Sequence, residues 1–366
     1  MHLDWAMLKK SWLQISLIAC FALALFLLVF LDFFNLEKIV FFNNIGFLFE
    51  ITWKGRLMLF FFFWLFMVLS FSENTALLEV TAMGRKRRLK LLLIFICALI
   101  PFFYIIGVNF LGLDQTIINV GESLRGEYWR TNTAYYENFL TGDWPMSLEY
   151  LVFGFSFLAT VLLTYGKKGL KIFSLPAAIV LGIGAVYMID TMYPGGAFGP
   201  LQTLALPTAA FAAILLEVLG IPFNLSYSPT GLGSMPIIAV NAQNASIPTR
   251  IAWPCAGVHS LFLYTVLILL LFRTSSISGF RKAIYFIVGL AGTFFVNVLR
   301  IVTYFVLLVG SGSEVALTFH NVYGELYFFI WMLGYFLLIW GIQRYSLVER
   351  VKGIFLKSKQ TVGSYE

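Results

Sequence analysis

Three reactive side chains stand near the ends of apolar runs in the second half of the chain: the thiol of Cys255, the guanidinium of Arg300 and the imidazole of His320. Cys255 joins a polar, turn-rich segment to an apolar run, so we expect its thiol at a membrane boundary, where it can ionise and attack a substrate. A nearby cation stabilises a thiolate or an oxyanion, and an imidazole can take a proton or protonate a leaving amine. The set predicts nucleophilic acyl transfer.

The position of Arg300 within its apolar run indicates its depth in a membrane. A charge at the bilayer centre costs at least about 2.5 kcal/mol, so the guanidinium should face a cavity or a partner. Arg300 follows Lys282 by 18 residues, which is about 27 Å of helix. That distance puts it at the face opposite Lys282, level with Cys255. Asn297 lies one turn earlier and is expected to orient the guanidinium. A guanidinium that snorkels to the outer headgroups is the alternative.

The cysteine segment also contains Gly257, His259 and Ser260, which we assign, with Asn297, to substrate binding or support. His259 follows Cys255 by four residues, so on a helix the two side chains would share a face. Spacing alone therefore allows either His259 or His320 as the acid or base. The simpler interpretations are a cysteine packed as a small apolar residue and an ordinary interfacial histidine.

The composition indicates the class of protein that carries these groups. Hydrophobic residues make up 60% of the 366 residues and charged residues 12%, against about 25% charged in soluble domains. The chain is therefore a multi-pass membrane protein, and its net charge of +7 reports topology and not nucleic-acid binding. Cys20 and Cys97 lie in apolar runs and are expected to be inert. Neither a metal site, a disulfide framework nor a cofactor is expected.

We predict an all-α polytopic helix bundle with about eight transmembrane helices. The first apolar run is too long for a cleaved signal and is expected to be a retained span. Basic residues cluster at alternate loops, which places both termini in the cytoplasm and Cys255 on the outer face. The spans are expected at about 12–33, 56–72, 90–111, 149–165, 172–190, 258–272, 283–309 and 323–342.

The apolar run 201–221 does not fit this alternation. If it crossed the membrane, the basic residues that follow it would move outside and the charge asymmetry would vanish. We therefore predict a re-entrant or interfacial helix on the outer side. A small outer hairpin is expected downstream, from Met235–Val240 and Ala245–Trp253 around an Asn-rich turn.

The predicted organisation has four parts. Residues 1–111 form a three-span region, 112–148 an outer-face loop, 149–345 a catalytic membrane core and 346–366 a basic cytoplasmic tail. The loop is rich in aromatics suited to a membrane interface or to an extended ligand, namely Tyr128, Trp129, Tyr135, Tyr136 and Trp144.

These motifs resemble the exosortase/archaeosortase family of multi-pass transpeptidases. The resemblance rests on Cys-Ala-Gly-Val-x-Ser at 255–260, Asn-x-x-Arg at 297–300 and His-x-x-x-Gly at 320–324. The run from Leu201 to Pro222 also looks like the helix that this family places before its cysteine loop. The similarity covers roughly residues 150–345. The chain differs from many members at Ala256, where they have Ser or Thr.

The resemblance implies a function and a role for each residue. Such enzymes recognise a C-terminal sorting signal in membrane-embedded substrate proteins, made of a short motif, a transmembrane helix and a basic tail. They cut before the helix and pass the new carboxyl end to a lipid acceptor. Cys255 would be the nucleophile, Arg300 would stabilise the thiolate or oxyanion, and His320 would be the acid/base. The resemblance favours His320 over His259, since the family fills the latter position variably.

Two other classes of function remain open at this level. A lipid or solute transporter would use Arg300 to bind an anionic group, although such proteins usually show repeats, which this sequence lacks. A membrane acyltransferase would use His320 directly and would need no thiol.

The first prediction concerns the thiol itself. Replacing Cys255 with Ala or Ser should abolish processing of the substrate while the protein still accumulates in the membrane, because the thiolate forms the intermediate. Immunoblotting of substrate and enzyme from the same cells measures both quantities. Normal processing by Cys255→Ala would exclude the thiol mechanism.

Overall fold

The computed structural model describes residues 5–34, 57–71, 87–124, 144–193, 198–230, 233–242 and 245–344. Within these ranges, six helices are long and apolar enough to cross a membrane, and three shorter apolar helices accompany them. The prediction of a polytopic helical membrane protein is confirmed. The chain forms two compact units, Met1–Gly199 with Thr230–Gly233 and Pro200–Pro229 with Ser234–Glu366, and each is described separately.

The described residues of the first unit form six helices. They are α1 Trp5–Phe33, α2 Leu57–Ser70, α3 Arg87–Phe110, α4 Leu113–Leu124, α5 Trp144–Ile172 and α6 Ser174–Met192. Helix α5 packs against α3 and α6, and α1 packs against α2 and α3. Between α1, α2, α5 and the start of α6 lies a cluster of edge-to-face phenylalanines with ring centroids 4.9 to 6.1 Å apart, a favoured aromatic geometry. Its members are Phe21, Phe62, Phe66, Phe157 and Phe173.

The segment 112–148 contains a helix that was not predicted, α4 at Leu113–Leu124. Trp144, which was expected at a membrane interface or against an extended ligand, is 3% exposed. Its indole nitrogen donates to the Ile117 carbonyl at 2.8 Å. A Cβ on Gly121 would lie 2.6 Å from that nitrogen, so a side chain there would separate the helix from the indole. Tyr128, Trp129, Tyr135 and Tyr136 lie outside the described residues.

The second unit is built around one long helix, α10. Its elements are α7 Gly199–Gln202, α8 Ala205–Val218, β1 Phe223–Thr230, β2 Gly233–Ala242, β3 Ala245–Arg250, α9 Val258–Thr274, α10 Gly279–Ser311, α11 Ser313–Thr318, a π-helical turn Phe319–Tyr323 and α12 Gly324–Arg344. Helix α10 packs against α8, α9, α11 and α12. A buried apolar core joins one face of α8, strand β2 and the second half of α10.

The run that interrupts the charge alternation folds as two helices, α7 and α8. Together they extend from Gly199 to Val218, which is long and apolar enough to cross a membrane. The absence of a crossing here therefore stays a prediction that rests on the charge distribution. Small residues at Ala205, Ala209 and Ala212 form the buried face of α8, and small side chains allow close helix packing.

The predicted hairpin is confirmed as strands β2 and β3, which pair antiparallel from Ile237 opposite Arg250 to Ala242 opposite Ala245. The structure adds β1 on the other side of β2. This strand was not predicted, although Phe223 and Leu225 alternate with Asn224 and Ser226, a period-two pattern typical of strands. Phe223 and Leu225 pack against the core.

Glycines bring α10 close to its neighbours at the end away from the cysteine. A Cβ on Gly289 would overlap the Tyr264 hydroxyl of α9 and the Tyr335 ring of α12. Both tyrosines donate to main-chain carbonyls of α10, Tyr264 to Phe286 at 2.8 Å and Tyr335 to Tyr285 at 2.5 Å. The absence of a side chain at Gly289 therefore lets both hydroxyls reach the α10 backbone.

Gly289→Ala should lower the thermal midpoint of the protein in detergent, because overpacking a tight contact typically costs about 1–3 kcal/mol. Gly310→Ala in the same helix is the matched control, since a Cβ there meets nothing within 4 Å. It should leave the midpoint equal or raise it. Thermal unfolding followed by size-exclusion chromatography measures both variants. A thermal midpoint of Gly289→Ala equal to that of Gly310→Ala would contradict the tight packing at Gly289.

Candidate functional site

Cys255 lies in the tight turn Trp253–Gly257 that connects β3 to α9. Ala256 N–H donates to the Ala252 carbonyl at 3.0 Å, and the Gly257 carbonyl accepts the first bond of α9 from Leu261 N–H at 2.9 Å. The thiol is half-buried. It therefore stands just before the N-terminus of a helix of 17 residues, where the helix dipole favours negative charge.

Asn297 holds this turn from the side of α10. It is 4% exposed, and its Nδ2 donates to the Cys255 carbonyl at 3.2 Å. A Cβ on Gly257 would lie 2.5 Å from Asn297 Cγ, and Gly257 has φ +87°. Gly257 is therefore required both for its left-handed backbone and for the close approach of Asn297. We expected Asn297 to orient the guanidinium; its amide nitrogen donates to the cysteine turn.

Arg300 lies one turn further along α10 and reaches the start of the last helix. Its Nη2 donates to the His320 carbonyl at 3.2 Å. A Cβ on Gly324 would lie 2.6 Å from Arg300 Nε, so the glycine at the N-terminus of α12 leaves room for the side chain. The polar partner is of the kind that an intramembrane charge requires.

His320 belongs to the π-helical turn Phe319–Tyr323 between α11 and α12. Gly324 N–H donates to the Phe319 carbonyl, five residues back, which widens the helix by one residue. The imidazole packs edge-on against Tyr304 of α10 with centroids 5.9 Å apart. No spacing rule predicted this turn. Single π-helical turns are frequent at functional sites, and here the turn contains one of the proposed catalytic residues.

A small cavity of about 10 Å³ lies beside Arg300, which is about the room for a single water. Polar groups from three helices line it, namely Ser260, Thr293, Asn297, Arg300 and Tyr327. Two of them have partners between helices: Trp331 Nε1 donates to Thr293 Oγ1 at 3.1 Å, and the Tyr327 and Thr303 hydroxyls lie 2.9 Å apart. These polar groups, the polar layer of this region, share the lining beside the arginine with Val296, Gly324 and Phe328.

The two candidate histidines have different surroundings. His259, in the first turn of α9, is 7% exposed, and its ring lies 5.3 Å from that of the fully buried Trp253. His320 is half-buried. Of the two imidazoles, His320 is the more accessible to a substrate.

Gln202 is a polar residue of this region that sequence reasoning missed. It is fully buried and forms hydrogen bonds with Ile251 and Trp253, just before the cysteine. The available signal was an amide inside the otherwise apolar run that begins at Leu201.

One helix therefore connects most of the predicted residues. Asn297 contacts the main chain of Cys255, and Arg300 contacts the main chain of His320. A family model described as transmembrane exosortase matches residues 133–337, more than half of the chain, and includes all four of these residues. No curated protein and no solved structure matches the chain significantly.

Gly257→Ala should change the rate at which an alkylating reagent modifies the Cys255 thiol, because the new Cβ displaces Asn297 from the turn. The measurement uses a Cys20→Ala, Cys97→Ala background. Gly220→Ala is the matched control: it has φ +69° but nothing within 4 Å, so it adds only the backbone cost of about 1–2 kcal/mol. Equal alkylation rates in the two variants would contradict a role for the Asn297 contact.

Proposed function

The chain belongs to the transmembrane exosortase family, which makes it a multi-pass membrane transpeptidase acting on membrane proteins with sorting signals, and we propose that it works through a thioester on Cys255. One observation carries the proposal. Asn297 and Arg300, one turn apart on α10, hold the turn of Cys255 and the segment of His320. A nucleophile, a cation and an acid/base group are thereby connected through one rigid helix.

In the first half-reaction, His320 takes the proton of the Cys255 thiol, and the thiolate Sγ attacks the peptide carbonyl just outside the transmembrane helix of the substrate. Arg300 stabilises the oxyanion of the tetrahedral intermediate. His320 donates a proton to the leaving amine, the C–N bond breaks, and the helix departs with a new amino terminus. The exported part of the substrate remains on Cys255 as a thioester.

In the second half-reaction, an amine of a lipid acceptor, or water, attacks the thioester carbonyl. His320 accepts a proton from the attacking group, the C–S bond breaks and the Cys255 thiolate returns. With the lipid amine, the product is a protein whose new carboxyl end is attached to the lipid; with water, the product is a free carboxyl end. The polar layer around Arg300 supports this assignment, because a charge that acts inside a membrane needs polar surroundings.

The assignment of His320, and not His259, as the acid/base is supported by burial. His259 packs against Trp253 and is nearly inaccessible, whereas His320 is half-buried. A proton-transfer group must come within hydrogen-bond reach of the substrate, and His320 meets that requirement with less rearrangement.

We place the site on the extracytoplasmic face and both termini in the cytoplasm, with residues 149–345 as the catalytic core. Basic residues support this orientation. At the end of α9 away from Cys255, Arg273 lies in the last helical turn, and Lys282 Nζ donates to the Phe272 carbonyl at 2.7 Å. Positive charge concentrates on the cytoplasmic side of membrane proteins.

The decisive experiment is to trap the intermediate. The full-length protein is co-expressed with a membrane protein that ends in a sorting signal, and the adducts on Cys255 are identified by mass spectrometry. We expect a hydroxylamine-sensitive thioester to a peptide cut just before the helix, in the wild type and in the Cys97→Ala control. A transporter that binds an anionic group at Arg300 would form no adduct and would tolerate Cys255→Ala.

The two histidines predict different outcomes. His320→Ala should lower the rate of processing by about 10²-fold or more, the usual contribution of general acid–base catalysis. His259→Ala should retain processing but lower the thermal midpoint, because it leaves a cavity beside Trp253. Time courses of substrate cleavage at equal enzyme levels measure the rates. Loss of activity in His259→Ala alone would transfer the role to His259.

A further inference from the structure

The ladder between β2 and β3 meets a proline at the end that leads to the cysteine. Ile251 N–H donates to the Pro236 carbonyl at 2.9 Å, which continues the register that pairs Ile237 with Arg250. Such a pair in an antiparallel ladder normally exchanges two hydrogen bonds. Proline has no N–H, so Pro236 cannot donate the second bond to the Ile251 carbonyl.

The side chain of Gln202 supplies the missing donor. Its Nε2 donates to the Ile251 carbonyl at 3.0 Å, and its Oε1 accepts from Trp253 N–H at 2.9 Å. The side-chain amide thus takes the place of the main-chain N–H and C=O of a residue in a neighbouring strand. The ladder extends in this way past Pro236 to Trp253, two residues before Cys255.

We propose that Gln202 is a positioning residue that sets the place of the Cys255 thiol by completing the ladder that Pro236 interrupts. The proposal rests on the proposed role of Cys255 as nucleophile. Gln202 and Trp253 are both fully buried, so loss of the amide leaves a buried carbonyl and a buried N–H without these partners. A buried carbonyl or N–H without a hydrogen bond costs free energy, so the turn should move to find new partners for both groups.

The physical link from Gln202 to the thiol is short. Trp253 N–H donates its main-chain hydrogen bond to Gln202 Oε1, and only Pro254 separates Trp253 from Cys255. Asn297 holds the Cys255 carbonyl from α10. The cysteine is therefore fixed on one side by α10 and on the other by the amide of α7, and removal of either contact should change the exposure of the thiol.

The test measures alkylation of Cys255 by iodoacetamide in the full-length protein, in a Cys20→Ala, Cys97→Ala background. Gln202→Met keeps the shape of the side chain and removes both hydrogen bonds. It should change the alkylation rate by about tenfold or more. Gln343→Met is the matched control, because it removes the hydrogen bond that Gln343 of α12 donates to the Tyr285 hydroxyl of α10. It should leave the rate unchanged. Equal rates in the two variants would overturn the proposal.

A second arm separates the ladder from a general loss of packing. Pro236→Ala restores a main-chain N–H opposite Ile251, so Gln202→Met combined with Pro236→Ala should recover part of the wild-type alkylation rate. Recovery is partial because Trp253 N–H still lacks its acceptor. A double variant that behaves as Gln202→Met alone would exclude completion of the ladder as the role of Gln202.

A third variant gives a pH readout even if Gln202→Met fails to fold. In Gln202→Glu, the protonated carboxyl can still donate to Ile251 and accept from Trp253, whereas the carboxylate cannot donate. The ratio of the alkylation rate of the variant to that of the wild type at the same pH should therefore be close to one at low pH. The ratio should depart from one as the carboxyl ionises. A pH-independent ratio would contradict the proposal.

Substrate processing, measured in parallel, separates this proposal from the proposed function. If Cys255 is not the nucleophile, alkylation still reports the position of the thiol, while Cys255→Ala leaves processing intact. If Cys255 is the nucleophile but Gln202 does not position it, Gln202→Met keeps both the alkylation rate and processing of the wild type.

Discussion

A guanidinium inside an apolar helix needs polar contacts, and much of the second unit provides them around Arg300. The His320 carbonyl accepts its hydrogen bond, Gly324 leaves room for its Nε, and hydroxyl and amide groups line the small cavity beside it. In a bilayer this satisfaction is mandatory, because water is scarce and an isolated charge is costly. The polar layer across α9, α10 and α12 follows from that requirement.

The same helix, α10, also holds the short turn that precedes the apolar helix α9. Turns at membrane depth have main-chain groups that no ladder or helix pairs, and each must find a partner. Asn297 donates to the Cys255 carbonyl. Gln202 donates to the Ile251 carbonyl and accepts from Trp253 N–H. Side-chain amides suit this task because each offers a donor and an acceptor.

Several features could be predicted from the sequence because their signals are local. Apolar length identified the long helices, alternation identified β2 and β3, and an arginine within an apolar run indicated Arg300 as a residue with a polar partner. The same local rules missed α4, whose buried face is narrow and includes Gly121 opposite Trp144. They also missed β1, where Phe223 and Leu225 do alternate with polar residues.

Contacts between distant residues lay beyond those rules. Gln202 bonds to groups 49 and 51 residues away, and Asn297 to a carbonyl 42 residues away. Contacts at these sequence separations leave no periodic pattern in the sequence, so only the fold reveals which residues meet. The need for glycine at Gly257 and Gly324 likewise depends on which side chain of α10 arrives opposite each. The π-helical turn at His320 has no composition that distinguishes it from an α-helical turn.

Helix α10 runs without interruption through 33 residues, and this continuity limits how the region can move. A rotation or slide of a single stiff rod carries Asn297 and Arg300 by the same amount. The hydrogen bonds from Asn297 to the Cys255 carbonyl and from Arg300 to the His320 carbonyl would then change together. The continuity of α10 therefore couples the position of the cysteine turn to that of the segment that begins the last helix.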